Sequence, residues 1–412
     1  MRIIIIGTYP PRKCGIATFT HDLYRSLTAQ NQDVDICAIT DGTESQFGSE
    51  VRCTIVKDIK NAYLQTANWI NSNDYDCCVV QHEFGIFGGD SGDYILLLAE
   101  KLTIPVITNL HTVLEKPSIA EYQVLKRLAT FSSTITVMTN RAITMLKEVY
   151  NISPFKISMI PHGIPEFTIT SEQAKEKLGL KNKNVMLSFG LLGPSKGYEV
   201  AIRAVANVSH KDFIYIILGA THPNVMLHEG ERYKDQLEAL TKELNLERRI
   251  LFVNKYASDE LLQNYLKACD IYVTPYPNVN QMSSGTLTFA LGAGAAVLST
   301  PYWYAQDLLA NDRGRLFDFN DAQGLADSIN ELLSNEEKMI TYRRNAAAFG
   351  KTISWMNVAK KQIALIKSVV IDKKKRSQKT GNIKQLEKII NQTGGKIFYP
   401  SGKINEDRRS TI

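Results

Sequence analysis

Short apolar runs that end in a glycine or a proline constrain this chain more than any other feature. The clearest series lies in the C-terminal half, where Val185–Phe189, Phe213–Leu218 and Ile271–Thr274 each lead into such a residue. Strands that alternate with helices form mostly parallel, doubly wound sheets, and ligands bind outside the carboxyl ends of those strands. The sequence therefore predicts an α/β fold with a ligand site at one sheet edge.

The alternation of strands and helices occurs twice along the chain, with a pause between the two series. The pause contains Ile160-Pro161-His162-Gly163-Ile164-Pro165, whose prolines and glycine suit an ordered linker. A length of 412 residues is also too great for one ordinary core. We therefore predict two doubly wound, Rossmann-like domains that face each other across a cleft. The predicted segments are an acceptor-side domain at 1–165, a donor-binding domain at 166–352, a helix at 353–372 that could cross back to the first domain, and a basic tail at 373–412.

The positive charge of the chain comes from its tail. From Lys373 onwards 11 Lys and Arg stand against 3 Asp and Glu, a net charge of +8, and the whole chain carries +6, so residues 1–372 carry −2. A near-neutral body argues against nucleic-acid binding, which needs a basic face on the folded part. The tail is interpreted as a solvated, partly disordered extension. The alternative is a weak contact with an anionic membrane through the amphipathic run Ile383–Ile390.

Hydropathy and cysteine usage favour a cytoplasmic protein. The basic tail would be compatible with peripheral association with the inner face of a membrane. No apolar run approaches the roughly 18 residues of a membrane-spanning helix. The apolar start of the chain is interpreted as a first strand and not as a signal peptide. Four of the six cysteines lie in or beside apolar runs and are predicted to be reduced core residues: Cys37, Cys77, Cys78 and Cys269.

Two segments of the second domain predict a phosphate or diphosphate site. The loop from Gly190 to Gly197 follows a strand and carries one cation, Lys196. The turn Ser283-Ser284-Gly285-Thr286 opens an apolar helix. Backbone N–H groups at a helix start, together with a lysine, bind anions. We expect Gly190, Lys196 and this turn to lie at the same sheet edge.

Three places at strand ends of the first domain are further site candidates. The loop after the first strand contains Arg12, Lys13 and Gly15, which predicts a ligand loop with the glycine close to the ligand. A plain connection between strand and helix is the alternative. The aromatic, glycine-rich loop that begins at His82 and Glu83 suits a polar ligand such as a sugar, or is merely a hydrogen-bonded loop.

His111 follows Asn109-Leu110 at the end of another strand. Strand ends of this kind point into the cleft of a doubly wound domain, so we expect His111 at the site. A hydrogen-bonded structural histidine is the alternative.

Taken together, these segments resemble the retaining nucleotide-sugar glycosyltransferases of the GT-B fold, grouped as glycosyltransferase family 4. The resemblance covers about residues 1–370. In that family Gly15 would lie near the donor phosphates, His111 beside the transferred sugar, and Lys196 on the diphosphate. Residues 160–163 are similar to the family's Ile-Pro-Asn-Gly segment. The resemblance implies that Arg12, Lys13, His82 and Glu83 bind the acceptor.

The chain departs from the family pattern at three positions. Leu191 stands where the family has an arginine, and Gln281 and Phe289 stand where it has two glutamates, eight positions apart. In relatives the first glutamate contacts the donor sugar, and Gln281 could do so only as a neutral partner. The second holds the ribose, which Phe289 cannot do. We therefore expect phosphate binding to be retained and nucleoside recognition to be altered.

The resemblance implies transfer of a hexose from a nucleotide-diphosphate sugar to a sugar or glycan, with retention and without a metal or other cofactor. The breadth of the family mildly suggests GDP-mannose as the donor. Two alternatives stay open on the residues alone. One is a phosphorylase of the same fold that uses free phosphate, and the other is a non-catalytic protein that binds a sugar or a nucleotide.

Overall fold

Two parallel β-sheets organise the chain in this computed structural model. The structure describes residues 1–44 and 46–392, including their side chains except at positions 224, 377 and 379–392. Within these residues the first sheet has seven strands in the order β3-β2-β1-β4-β5-β6-β7. Its strands are β1 Arg2–Gly7, β2 Asp33–Thr40, β3 Val51–Val56, β4 Cys77–His82, β5 Val106–Leu110, β6 Thr134–Val137 and β7 Ile157–Met159. The helices between them are α1 Gly15–Thr28, α2 Lys60–Asn71, α3 Tyr94–Lys101, α4 Ile119–Phe131 and α5 Asn140–Glu148.

The second sheet repeats this arrangement with six strands in the order β10-β9-β8-β11-β12-β13 within the described residues. Its strands are β8 Asn184–Phe189, β9 Phe213–Leu218, β10 Ile250–Val253, β11 Ile271–Thr274, β12 Ala296–Ser299 and β13 Gly314–Leu316. Its helices are α6 Ser171–Lys177, α7 Tyr198–Val205, α8 Pro223–Glu229, α9 Arg232–Glu243, α10 Asp259–Ala268, α11 Gly285–Ala293, α12 Trp303–Leu309, α13 Ala322–Ser334 and α14 Glu336–Thr352. A last helix, α15, spans Trp355–Gln392.

The strand order of each sheet reverses once, between β1 and β4 in the first and between β8 and β11 in the second. Loops that leave neighbouring parallel strands on opposite sides of such a reversal open a crevice, where ligands of doubly wound sheets bind. The loops that follow β1, β4, β8 and β11 contain most of the site residues predicted from the sequence. The fold thus confirms the predicted α/β class with two doubly wound sheets.

Apolar, β-branched residues explain why the central strands lie in the interior. Ile3, Ile4, Ile5 and Ile6 of β1 are all fully buried, because helices cover both faces of a parallel sheet. The four cysteines predicted to lie in the core are buried and free.

The structure adds two edge strands that the sequence did not predict. The run of β3 alternates polar and apolar residues, and β13 has only three residues, so neither shows the continuous apolar pattern of a buried strand. All strands that the apolar runs predicted are present.

The predicted end of the last helix is wrong. The sequence ended the helix at residue 372, but α15 continues to Gln392, because the lysines, glutamines and leucine of this stretch are favourable helix formers. The compact body comprises Met1–Ile366, and a second unit begins at Lys367. The rest of the predicted tail, residues 393–412, lies outside the described residues. None of the helices described is long and apolar enough to cross a membrane.

Candidate functional site

The loop after β8 holds Lys196 in a fixed place. Pro194–Lys196 forms a single 3₁₀ turn, and Gly197 follows with φ 62°. A Cβ atom on Gly197 would lie 2.2 Å from the carbonyl oxygen of Pro275, so only glycine lets the loop after β8 approach the loop after β11 this closely. The two loops meet at the reversal point of the second sheet.

The ammonium group of Lys196 lies over an aromatic ring and not beside a carboxylate. Its Nζ is 4.4 Å from the ring centroid of Tyr276 and donates to Tyr276 Oη at 3.4 Å. Among the described residues no acidic group forms an ion pair with it. A partly buried cation with an aromatic partner keeps its charge available for an anionic ligand.

The first turn of α11 lies next to this lysine. Ser284 is the N-cap residue, and its Oγ accepts a hydrogen bond from the backbone N–H of Leu287 at 3.3 Å. Thr286 Oγ1 is 3.0 Å from Tyr276 Oη and 3.2 Å from Ser284 Oγ. The first N–H groups of a helix have no partner within the helix and attract anions. Lys196, Tyr276 and the start of α11 therefore form one polar, positively polarised surface.

The same turn contacts the first domain. Ser283 Oγ donates to the carbonyl oxygen of His111 at 3.4 Å, and Gln281 Nε2 donates to the carbonyl oxygen of Ser283 at 2.7 Å. The predicted donor residues of the second domain and the predicted sugar-side histidine of the first thus meet in the compact body.

His111 is nearly buried at the end of β5. Its Nε2 is 2.9 Å from Gln81 Oε1, and its ring meets the ring of Phe19 edge-on at 4.7 Å. Burial first, and then the nearby rings of His162 and His82, lower the pKa of His111 to about 3. The imidazole is therefore neutral at physiological pH, and it can position a ligand without bringing a charge.

His162, in the linker between the sheets, is a site neighbour that the sequence did not single out. Its Nδ1 lies 2.8 Å from the carbonyl oxygen of Gly163, and its ring packs edge-on against Phe19 and Phe289. Burial lowers the pKa of His162 to about 4. A Cβ atom on Gly285 would lie 3.1 Å from His162 Nε2, so a side chain there would press against this ring.

Phe289, which replaces a family glutamate, is packed into the core. Only 8% of its surface is exposed, and its ring lies 6.4 Å from that of Phe189 in a stacked arrangement. A side chain in this position contributes to packing between the second sheet and the linker. It offers no hydrogen bond to a ribose, as the sequence predicted.

The predicted site residues of the loop after β1 differ in their surroundings. Gly15 begins α1, and a Cβ atom there would meet no heavy atom within 4 Å, so the space beside it is open. Arg12 Nη1 lies 3.5 Å from carboxylate oxygens of both Asp41 and Glu44. Lys13 Nζ lies 5.6 Å from the ring centroid of Tyr256 in the second domain. The two cations therefore already have partners, and their predicted contact with an acceptor stays a prediction.

His82 and Glu83 are neighbours in the chain but have different surroundings in the structure. The ring of His82 is fully buried between Phe84 and Phe87, so it does not line the cleft as the sequence predicted, and only a rearranged loop could bring it to an acceptor. Its position at the end of a buried apolar strand explains the difference. Glu83 accepts hydrogen bonds from the hydroxyl of Thr112 and, at 3.1 Å, from the N–H of Phe84. Its burial raises the pKa of the carboxyl.

Three residues at the site escaped the sequence analysis: Gln81, Tyr276 and His162. Gln81 lies near the end of β4, and Tyr276 lies two residues after the end of β11. Their polar groups stand beside otherwise apolar strands, and that contrast is the signal that could have found them. His162 lay in a segment interpreted as a linker. Within the described residues, no group of three histidine, cysteine or acidic side chains converges to hold a metal ion.

Two family models match successive parts of the chain. Residues 14–166 match the model described as Glycosyltransferase Family 4, and residues 170–349 match the model described as Glycosyl transferases group 1. The junction between the two matches falls in the linker that contains His162.

Curated relatives are similar over part of their length. The chain is 26% identical over 269 residues to the D-inositol 3-phosphate glycosyltransferase of Corynebacterium urealyticum, a match that covers 63% of this chain and 61% of that protein. It is 27% identical over 217 residues to the N-acetylgalactosamine-N,N'-diacetylbacillosaminyl-diphospho-undecaprenol 4-alpha-N-acetylgalactosaminyltransferase of Campylobacter jejuni, covering 52% of this chain and 54% of that protein. The chain thus spans between half and two thirds of the length of these relatives.

Solved structures show the same architecture. Anabaena HepE in complex with UDP and glucose matches with a TM-score of 0.72 at 17% identity, over 89% of this chain and all of that one. Sucrose-phosphate synthase from Thermosynechococcus elongatus matches with a TM-score of 0.74 at 17% identity, over 90% and 100%. At such identities the likeness concerns the fold, which is the GT-B arrangement of two doubly wound domains. With this fold and with family models matched in both domains, the chain belongs to glycosyltransferase family 4, the group 1 glycosyltransferases.

Proposed function

We propose that this chain transfers a hexose from a nucleotide-diphosphate sugar to a sugar or glycan acceptor, with retention of configuration at the transferred carbon. The observation that carries the proposal is the placement of Lys196. Its ammonium lies 3.4 Å from Tyr276 Oη, without an acidic partner among the described residues, at the reversal point where α11 also begins. Such a surface suits a diphosphate leaving group.

The reaction needs stabilisation of charge on the departing diphosphate. As the bond between the sugar carbon and the phosphate oxygen breaks, negative charge grows on that oxygen. Lys196 and the amide groups at the start of α11 are placed to stabilise this charge, and preorganised groups of this kind supply much of an enzyme's rate enhancement. The acceptor hydroxyl then bonds to the same face of the sugar, and its proton passes to the departing phosphate oxygen. This route requires no carboxylate base, no metal ion and no other cofactor.

Similarity to known proteins supports the donor class. HepE was crystallised with UDP and glucose, and the relatives from Corynebacterium and Campylobacter are named as glycosyltransferases. By analogy we propose a nucleotide-sugar donor for this chain, with GDP-mannose as the first donor to try. The buried Phe289 in place of a ribose-binding carboxylate supports an unusual recognition of the nucleoside.

That same residue also favours a second candidate function. A phosphorylase of this fold uses free phosphate and needs no ribose contact, which agrees with Phe289 packed in the core. A non-catalytic protein that binds a sugar or a nucleotide is the remaining alternative, because Leu191 and Gln281 also replace charged family residues.

One experiment separates the three functions. The protein is incubated with a panel of nucleotide sugars and candidate glycan acceptors, and released nucleotide is measured. A parallel panel contains disaccharides with inorganic phosphate, and sugar phosphate is measured. Acceptor-dependent release of nucleotide supports transfer, and formation of sugar phosphate supports phosphorolysis. Binding of a ligand by calorimetry without turnover in either panel supports a binding protein and contradicts the proposed transfer.

We propose a cytoplasmic location, with the basic tail either solvated or in weak contact with an anionic membrane. Each basic residue near such a surface contributes about 1 kcal/mol. The test is co-sedimentation of the full chain, and of a chain that ends at Asp372, with anionic and with neutral vesicles. Salt-sensitive sedimentation of the full chain alone supports membrane contact. Equal behaviour of both chains indicates a solvated tail.

A further inference from the structure

A line of buried polar groups crosses three strands of the first sheet and ends at His111. The hydroxyl of Thr136 on β6 donates to Asn109 Oδ1 on β5, and Asn109 Nδ2 donates to Gln81 Oε1 on β4 at 3.4 Å. Gln81 Oε1 is in turn 2.9 Å from His111 Nε2. All of these residues are buried, and we call the four side chains the histidine relay.

The relay determines which ring nitrogen of His111 carries the proton. In the structure the amide of Asn109 has its oxygen towards the hydroxyl of Thr136 and its NH₂ group towards Gln81. The oxygen of Gln81 then receives the bond, and it has only lone pairs to offer. With both amides in these orientations, His111 Nε2 carries a hydrogen and donates it to Gln81 Oε1. In a neutral ring this leaves Nδ1 without a hydrogen, as an acceptor.

The unused nitrogen of His111 is available to a ligand. Among the described residues no donor or acceptor meets Nδ1. The backbone of the same residue accepts the bond from Ser283, at the turn that precedes α11. Phe19 packs edge-on against the ring and restricts its rotation. The side chain therefore stands beside the proposed donor site with its orientation fixed.

Gln81 keeps this arrangement at an energetic cost. Its Nε2 is buried and has no hydrogen-bond partner in the described part of the chain. A buried amide hydrogen without a partner is unfavourable, and an apolar side chain would avoid that cost. The unfavourable state of this amide hydrogen is explained by a functional role for the oxygen of the same amide, which bonds His111.

We infer that Gln81 is a positioning residue, which holds His111 in the tautomer whose Nδ1 accepts a hydrogen bond from a hydroxyl group of the donor sugar. The inference rests on the proposed glycosyl transfer for the identity of the ligand, but not for the tautomer. It goes beyond a general sugar contact, because an acceptor nitrogen favours a hydroxyl and disfavours a carbonyl or carboxylate oxygen at this place. Burial lowers the pKa of His111, so the ring remains an acceptor at neutral pH. The titratable groups near it are the rings of His162 and His82.

The first test reads the tautomer directly and needs no activity. The protein is labelled with ¹⁵N at its histidines, and the ring nitrogens of His111 are observed by NMR, with His111→Phe to identify the signals. We expect a protonated Nε2 and an unprotonated Nδ1 in the wild-type protein at about pH 7. A protonated Nδ1 in the wild-type protein would overturn the inference, whatever the outcome of the activity assays.

The second test uses two substitutions of Gln81. Gln81→Leu removes the acceptor, so we expect the ring of His111 to populate both tautomers and kcat/KM to fall about tenfold, the effect of one buried hydrogen bond. Gln81→Glu keeps the shape but adds a negative charge that favours the imidazolium form. In that variant kcat/KM should be low at about pH 6 and recover as the pH rises, because the imidazolium has no acceptor nitrogen.

Thr108→Val is the matched control. Thr108 is also buried on β5, but its hydroxyl bonds Ser132 Oγ at 2.8 Å, away from the relay. This variant also loses a buried hydrogen bond, and we expect its His111 signals and its pH profile to match those of the wild-type protein. A Gln81→Glu profile that equals the control at every pH would contradict the positioning role. If no donor is turned over at all, the proposed function fails while the NMR result still decides the tautomer.

Discussion

At the scale of single residues, Phe289 shows how the structure changes an expectation from sequence. The family pattern alone predicts that a glutamate in this place would strengthen binding of a nucleotide over that of a sugar phosphate. In the structure the ring is 8% exposed and lies between His162 and Phe189. A carboxylate in this position would be buried among rings without a cationic partner among the described residues.

We therefore predict that Phe289→Glu destabilises the protein by at least about 3 kcal/mol, the usual cost of removing a buried aromatic ring, with a further cost for the buried charge. Chemical denaturation measures the change. Phe155→Glu is the control, because Phe155 is 98% exposed and its replacement should alter the free energy of unfolding by less than about 0.5 kcal/mol. An unchanged stability of Phe289→Glu would show that this side chain lies in the open cleft.

The sequence could identify residues that stand at strand ends, but not their surroundings. Lys196 lies in the loop after one apolar run and His111 directly follows another, so each was predictable as a residue at the ligand-binding edge of its own sheet. Whether a residue at a strand end points into the cleft or into the core depends on packing from distant segments. For that reason the sequence predicts His82 in the cleft, and it does not single out Gln81, which precedes His82 in the chain.

At the scale of elements, the start of α11 combines a structural and a binding role. Ser284 Oγ caps the helix through the N–H of Leu287 at 3.3 Å, in the same geometry by which Ser258 Oγ caps α10 through the N–H of Leu261. Only the first of these caps lies beside Lys196 and Tyr276. A comparison of substitutions at these two serines therefore distinguishes an effect on helix stability from an effect on ligand binding.

We predict that Ser284→Ala and Ser258→Ala each lower the free energy of unfolding by about 1 kcal/mol, the typical value of an N-cap side chain. Only Ser284→Ala should also weaken donor binding, because the cap aligns the amide groups that face the ligand. Denaturation and calorimetry measure the two effects. Equal donor affinity of the two variants would indicate that the turn serves only to begin a helix.

From the sequence, the central strands were more predictable than the edge strands and the helix ends. The central strands are continuous apolar runs, and each predicted one is present. The edge strand β3 is stabilised by pairing with β2, and its alternating polar and apolar residues are a weaker signal than the continuous apolar runs of the central strands. The high charge of the last stretch predicts disorder from sequence alone, but lysine and glutamine are also good helix formers, and α15 continues to Gln392.

At the scale of the whole molecule, three buried histidines link stability to pH. Burial lowers the pKa of His82 to about 4, and burial is also the largest cause for His111 and His162, at about 3 and about 4. Between about pH 4 and 6.5 the unfolded chain binds protons at these histidines that the folded chain does not, so stability falls as the pH falls. Burial raises the pKa of Asp22 to about 7, and this acts in the opposite direction over a similar range. The buried carboxyl of Glu83, whose pKa is also raised, acts in the same direction as Asp22, and the lowered pKa of His21 acts in the same direction as the three buried histidines. The histidines together outweigh the two carboxyls.

We therefore predict that the free energy of unfolding decreases on acidification from about pH 6.5 to 4. Each uncompensated histidine contributes about 1.4 kcal/mol per pH unit. His82→Phe should reduce this slope by about one proton, whereas His228→Gln, at an exposed position, should leave it unchanged. Denaturation curves at several pH values measure the slope. A wild-type stability that rises on acidification would contradict the burial of the histidines.

The central claim is that the surface formed by Lys196, Tyr276 and the start of α11 binds the diphosphate of a sugar donor during transfer. The most direct measurement is the rate of acceptor-dependent nucleotide release by the wild-type protein, by Lys196→Ala and by Lys211→Ala, a control at an exposed position. A charge-assisted contact to phosphate is worth about 1.5–3 kcal/mol, so the account predicts at least about a tenfold lower rate for Lys196→Ala, with an unchanged melting temperature and a normal control. Nucleotide release by Lys196→Ala at the wild-type rate would contradict it.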